Sequence, residues 1–128
     1  MFDQLTVFRM AESMARHAGQ RTALAARNLA NADTPGYRAQ ALPSFADLAD
    51  EGALSEPGMR TTRTGHIAGS GATALARIER AEAQTSPNGN SVSIEEEMVR
   101  AVDAEREHGR ALTVYRHSMQ VLRTVIGS

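Results

Sequence analysis

Leu24-Ala25-Ala26-Arg27-Asn28-Leu29-Ala30-Asn31-Ala32-Asp33-Thr34-Pro35-Gly36-Tyr37 joins a strongly helical pattern to an abrupt stop. Pro35 has no N–H to donate and drives Thr34 out of the α region, so a helix arriving from the N-terminal side ends just before it. Pro-Gly at the centre of a four-residue turn suits type II geometry, in which Gly36 supplies the positive φ. The chain therefore has to bend at 34–37.

Upstream of this stop, residues 2–32 contain no proline and a single glycine, Gly19, among many Ala, Leu, Met, Arg, Gln and Glu. That composition favours one continuous helix, about 45 Å long at 1.5 Å per residue. Ala11, Ala15, Ala18, Thr22, Ala25, Leu29 and Ala32 recur at alternating spacings of four and three, the pattern of a coiled-coil seam. Leu5 and Phe8 continue the stripe toward the N-terminus.

Downstream, residues 38–90 hold Pro43, Gly52, Pro57, Gly58, Gly65, Gly69, Gly71, Pro87 and Gly89, and no period persists. This is an extended, irregular excursion with one short helix expected over 44–50, where Ser44 and Asp47 have capping spacing. Residues 72–84 are compatible with either helix or extended chain. Asn88-Gly89 marks another turn. A second long helix then starts at Ser93, with Glu96 in capping-box position and Glu95, Glu96 and Glu97 where the helix dipole favours negative charge. Met98, Val102, Glu105, Gly109, Leu112, Tyr115, Met119, Leu122 and Ile126 form one stripe on it, and Val114, Val121 and Val125 add a second apolar edge. So broad an apolar face implies more than one neighbour. The resulting division is 1–34 helix, 35–91 turn and irregular middle, and 92–128 helix, a mainly α chain. The spacing leaves open whether the helices pair within one chain or between chains.

Composition restricts function. The aromatic residues are Phe2, Phe8, Tyr37, Phe45 and Tyr115, and alanine makes up much of the 41% apolar content. Alanine contributes little area when buried, so these helices are expected to need partners. All 14 basic residues are arginine and the formal net charge is −1, which gives no general attraction to nucleic acid. Arginine forks favour desolvated contacts with carboxylates, in keeping with interfaces. Without cysteine there is no disulfide or thiol chemistry. Residues 1–11 lack the basic and apolar regions of a cleaved signal, and no apolar run approaches the roughly 20 residues of a membrane span. On composition alone, the chain reads as soluble and cytoplasmic.

The quoted stretch resembles the N-terminal signature of the flagellar rod, hook and hook-filament junction proteins. Thr64-Gly65-His66-Ile67 and Asn88-Gly89-Asn90-Ser91-Val92-Ser93-Ile94-Glu95-Glu96-Glu97-Met98 are similar to the proximal-rod, FlgB-type branch of that family. Asn88 stands where the family usually has Asp. The resemblance implies terminal helices paired as an antiparallel coiled coil in a helical assembly, with an extended stretch corresponding to 72–84. It also implies export by the flagellar type III apparatus without a cleaved signal, and a place in the periplasmic rod rather than the cytoplasm. Implied partners are further copies of the chain, other rod proteins, the small adaptor FliE and the membrane-ring and export-gate complex. The assembly interface expected on this basis draws on Leu5, Phe8, Ala25, Asn28, Leu29 and Asn31, on Pro35, Gly36 and Tyr37 at the turn, and on Met98, Val102, Leu112, Tyr115, Met119, Leu122 and Ile126. Subunits of this kind are expected to remain partly disordered until docked.

Other chemistries find less support in these residues. Glu105 and His108 have the Glu-x-x-His spacing of di-iron bundles, but the first helix offers only Asp3 and Glu12 as further carboxylates, so a solvated face is the better reading and no metal or cofactor is expected. There is no nucleophile elbow, and the glycine-rich run 65–71 lacks the lysine and helix start of a phosphate loop, so no enzyme activity is expected. Asn28 and Asn31 are read either as amides that cross-link neighbouring subunits or, for Asn31, as a left-handed residue ending the helix. Tyr37 either covers its own helix end or anchors a subunit contact. Besides a structural subunit, a transient export adaptor or partner-binding helical protein fits the same features.

Overall fold

The computed structural model describes residues 2–50, 79–81 and 84–127. Thr64-Gly65-His66-Ile67, the run 65–71 and most of 72–84 lie outside the described residues, as does the side chain of Leu5. The molecule is mainly helical. Helix α1 covers Phe2–Ala30, a two-residue strand β1 covers Gln40–Ala41, a short helix α2 covers Phe45–Asp50, strand β2 covers Glu79–Arg80, and helix α3 covers Ile94–Ile126. The two long helices pack on one another within the chain and make the most extensive contact between the described elements. In the single chain, each long helix thus has the other as its partner.

Helix α3 runs back along α1 as a hairpin. Next to the turn, the Asn90 side chain meets the end of α1; midway, Glu107 pairs with Arg21 at 2.7 Å; near the free ends the Phe8 and Tyr115 rings lie 4.3 Å apart. Between these points the seam is alanine. Ala11, Ala18 and Ala25 on α1 and Ala104 and Ala111 on α3 are all buried, and each set is spaced by seven residues. Stepping from the Phe8–Tyr115 contact brings Ala11 level with Ala111, and Ala18 level with Ala104. Methyl side chains at matched levels let the backbones approach closely, and that geometry excludes larger groups from the seam.

The buried faces agree with the expected stripes at Ala11, Ala18 and Ala25 and differ elsewhere. On α1, Thr22 and Leu29 are exposed, while His17, Leu24 and Asn28 are buried in their place. The reason is a second packing partner: β1 and α2 lie along that flank, with Gln40 against Asn28 and Phe45 against His17. On α3, Met98 and Val102 do not share the inner face with Tyr115 and Leu112. They point to solvent, and Glu97, Ala104 and Ala111 are buried instead.

Local signals determine the element ends. Ser44 and Asp47 form a reciprocal cap on α2, each side chain accepting the other's backbone N–H at 3.2 Å. Ser93 accepts the Glu96 N–H at 3.4 Å and starts α3, but the Glu96 carboxylate turns to Arg100, so only half of the expected box forms. In the middle region, β1 and β2 pair antiparallel, Gln40 with Arg80 and Ala41 with Glu79, so residues 79–80 are extended.

Enlarging the seam should be costly and enlarging the outer face should not. Ala18→Leu or Ala104→Leu is expected to lose about 1–3 kcal/mol through overpacking, and Val102→Ala less than about 0.5 kcal/mol. Denaturant titration followed by circular dichroism measures the difference.

Candidate functional site

Four carbonyls at the end of any helix lack intrahelical donors, and here the end of α1 is covered rather than solvated. Asn90, only 2% exposed, closes it. Its side-chain amide donates to the carbonyls of Asn31 at 2.9 Å, Ala32 at 2.8 Å and Thr34 at 2.8 Å, while its Oδ1 accepts the Val92 N–H at 2.7 Å. One buried side chain thus ties the exit of α1 to the approach of α3.

Two tight turns bring Asn90 to that position. Thr34-Pro35-Gly36-Tyr37 forms the expected turn, with the Tyr37 N–H donating to the Thr34 carbonyl at 3.2 Å and Gly36 at φ +73°. The second turn is closed by the Gly89 N–H on the Ser86 carbonyl at 2.8 Å, with Gly89 at φ +83°. The turns touch: the Gly36 N–H donates to the Asn88 carbonyl at 3.0 Å, and a Cβ on Gly89 would stand 3.3 Å from the Gly36 Cα. Glycine is required at both positions by backbone conformation, and at Gly89 also by this approach. Asn88 Oδ1 accepts the Asn90 N–H at 3.0 Å, a task that the carboxylate of an Asp would perform equally well. Ser91 completes the join, donating its N–H to the Tyr37 carbonyl at 3.0 Å and accepting the Ala39 N–H at 2.9 Å.

Asn28 is fully buried beneath this clasp. Its amide donates to the Gln40 carbonyl at 2.7 Å, and its Oδ1 accepts from Tyr37 Oη and the Gln40 N–H, both at 3.1 Å. The amide is therefore engaged inside its own chain through Oδ1 and one N–H. Tyr37 likewise covers its own helix end. Asn31 does not adopt a left-handed conformation, because positive φ among the described residues is confined to Gly36 and Gly89. Its side chain returns to the Arg27 carbonyl and accepts from Thr34 Oγ1.

The other expected interface residues divide into two groups. Ala25 is inside the hairpin, and Phe8, Leu112, Tyr115, Met119 and Leu122 are half-buried toward its free end. Leu29, Pro35 and Gly36 are exposed, as are Met98 at 57%, Val102 at 49% and Ile126 at 82%. Ile94 and Val99 join Met98 and Val102 to give four outward apolar side chains within about two turns of α3, directly beside the clasp. Glu105 and His108 are both exposed. Two buried groups escaped the reading of the sequence. Glu97 was taken as a first-turn acid of the helix dipole, yet it is buried and ion-paired to Arg100. The seven-residue step from Ala111 through Ala104 to position 97 was the available signal. His17 is the second.

No protein-family model matches the chain, and comparison with curated proteins found no match. Among the described residues no group of acidic, histidine or cysteine side chains could hold a metal ion, and no helix is long and apolar enough to cross a membrane. What the arrangement offers is a hairpin with a hydrogen-bonded end and an apolar outer row.

Asn90→Ala would strip hydrogen bonds from three carbonyls and the Val92 N–H at once. The expected loss is roughly 2–4 kcal/mol. Amide exchange at 28–37 and 88–92 should accelerate more than at Ala11 or Ala111.

Proposed function

We propose that this chain is a non-catalytic structural subunit of a bacterial flagellar basal-body rod, of the proximal, FlgB type. The observation that carries the reading is the row Ile94, Met98, Val99 and Val102, large apolar side chains left outside a hairpin whose own seam is alanine. A monomer gains nothing by presenting such a row to water, whereas a subunit packed among others buries it. Further support comes from two of the three stretches that carry the family resemblance, 24–37 and 88–98, which meet in one clasp. In this reading the hairpin of α1 and α3 is an antiparallel coiled coil that lies beside the hairpins of neighbours. Ile94, Met98, Val99 and Val102 then meet a different surface of the next subunit, a head-to-tail contact that propagates as a helical tube instead of closing into a ring.

The partners are other copies of the chain, other rod proteins, and FliE with the membrane-ring and export-gate complex. The site of action is the periplasmic rod, reached through the flagellar export apparatus without a cleaved signal.

Sedimentation of the chain mixed with a neighbouring rod subunit tests the proposal. Durable, stoichiometric co-assembly is expected, and Met98→Asp with Val102→Asp should abolish it while leaving helical content and the monomer melting transition within about 0.5 kcal/mol of the unmodified chain. Rapidly reversible 1:1 binding would instead indicate an export adaptor, and co-assembly unaffected by both aspartates would overturn the assigned surface.

A further inference from the structure

The six residues of α2 are too few to be helical alone, so this element exists because something holds it on the hairpin. Its apolar anchors are Leu48, which is buried, and Phe45, whose ring lies 5.7 Å from the imidazole of His17. His17 projects from the middle of α1, is 5% exposed, and has no hydrogen-bond partner on either ring nitrogen. A neutral imidazole in such a place packs as a flat, largely apolar group. A charged one would sit in a desolvated pocket with two N–H groups to satisfy and the Pro43 carbonyl as the one backbone acceptor beside it.

We propose that His17 is a proton-operated latch: the neutral ring seats α2 on the hairpin, and the imidazolium releases it. The charged and polar groups around the ring come from every element packed there. Arg21 lies one turn along α1, Glu107 approaches from α3, and the carbonyl of Pro43 comes from the segment leading into α2. Glu107 is held by Arg21 at 2.7 Å, and Asp47 of α2 is engaged in the cap with Ser44. A proton on His17 would therefore add a second cation beside Arg21 without freeing a carboxylate to receive it. Burial and then the Arg21 charge hold the ring's pKa below its ordinary value, against a smaller opposing pull from Glu107 and the Pro43 carbonyl.

The sign follows from that depression. Above the free-imidazole pKa of about 6.5 the ring is neutral whether α2 is seated or not, and the latch is at full strength. As pH falls below that value the released state takes up a proton that the seated state resists, so release is favoured progressively. Because α2 touches the hairpin far less extensively than α1 and α3 touch each other, the loss is local.

Amide hydrogen exchange of the whole chain, corrected for the intrinsic pH dependence of exchange, reads the latch at the Leu48 N–H, which donates to the Ser44 carbonyl within α2. Protection at Leu48 is expected to fall several-fold between about pH 7.5 and pH 5, while protection at Ala18 and Ala111 is retained. In His17→Phe, which keeps a ring against Phe45 but cannot titrate, protection at Leu48 should be flat across the same range. Protection at Leu48 that is independent of pH in the unmodified chain, that falls in parallel with Ala111, or that falls equally in His17→Phe would each overturn the proposal. Should His17→Phe fail to fold, the His17 ring titration followed by NMR in the unmodified chain decides: a midpoint below about 6.5 supports the latch, and one at or above it refutes the latch.

Discussion

Alanine at seven-residue steps through the middle of both long helices is the constraint from which the rest of the molecule follows. With only a methyl group between them at Ala11, Ala18, Ala25, Ala104 and Ala111, α1 and α3 lie close together and leave no space for a large side chain in the seam. The larger apolar residues must go elsewhere. Some fill the free end, where Phe8 stacks on Tyr115, and others, including Met98 and Val102, face outward. Close packing inside and apolar exposure outside are thus two consequences of one spacing.

An alanine seam buries little area, so the hairpin needs a second source of definition, and it is polar. Asn90 satisfies three carbonyls of the turn that follows α1, Ser91 joins Tyr37 to Ala39, and Asn28 binds the same loop from below. Each of these groups is buried and paired, so displacing the loop would leave several of them unsatisfied in a dry environment. The clasp therefore sets the register of the hairpin, which methyl contacts alone specify weakly. Partial disorder before docking was expected on the premise that the terminal helices lack partners, and the hairpin changes that premise by giving each helix a partner in its own chain.

What the sequence revealed was local. The Pro35-Gly36 turn, the Ser44–Asp47 cap, the Asn88-Gly89 turn and the Ser93 start each depend on residues within about four positions, and each stands where the residue types require it. The irregular middle was legible only as a lack of period, and the β1–β2 pairing within it was not foreseen. The functions of Asn28, Asn90 and His17 were hidden because their deciding partners lie 9 to 59 residues away or on another element. The helix stripes were legible on one side only. On α1 the expected stripe was mostly alanine, and Ala11, Ala18 and Ala25 are buried where it placed them; on α3 the stripe drawn through Met98 and Val102 assumed that bulk seeks the interior, whereas Ala104 and Ala111 occupy the seam.

In the proposed assembly subunit, this division of labour would separate folding from association: the seam and clasp make the hairpin, and the outer row is left exposed for neighbours. The most direct test uses the absence of native cysteine: Ala11→Cys with Ala111→Cys, joined by a short thiol cross-linker in an equal mixture of isotopically light and heavy chains. Mass spectrometry of the cross-linked peptides should find light–light and heavy–heavy pairs only, because the two positions face each other within one chain. Mixed light–heavy pairs at the frequency of random exchange would show that the terminal helices pair between chains, and would contradict the account.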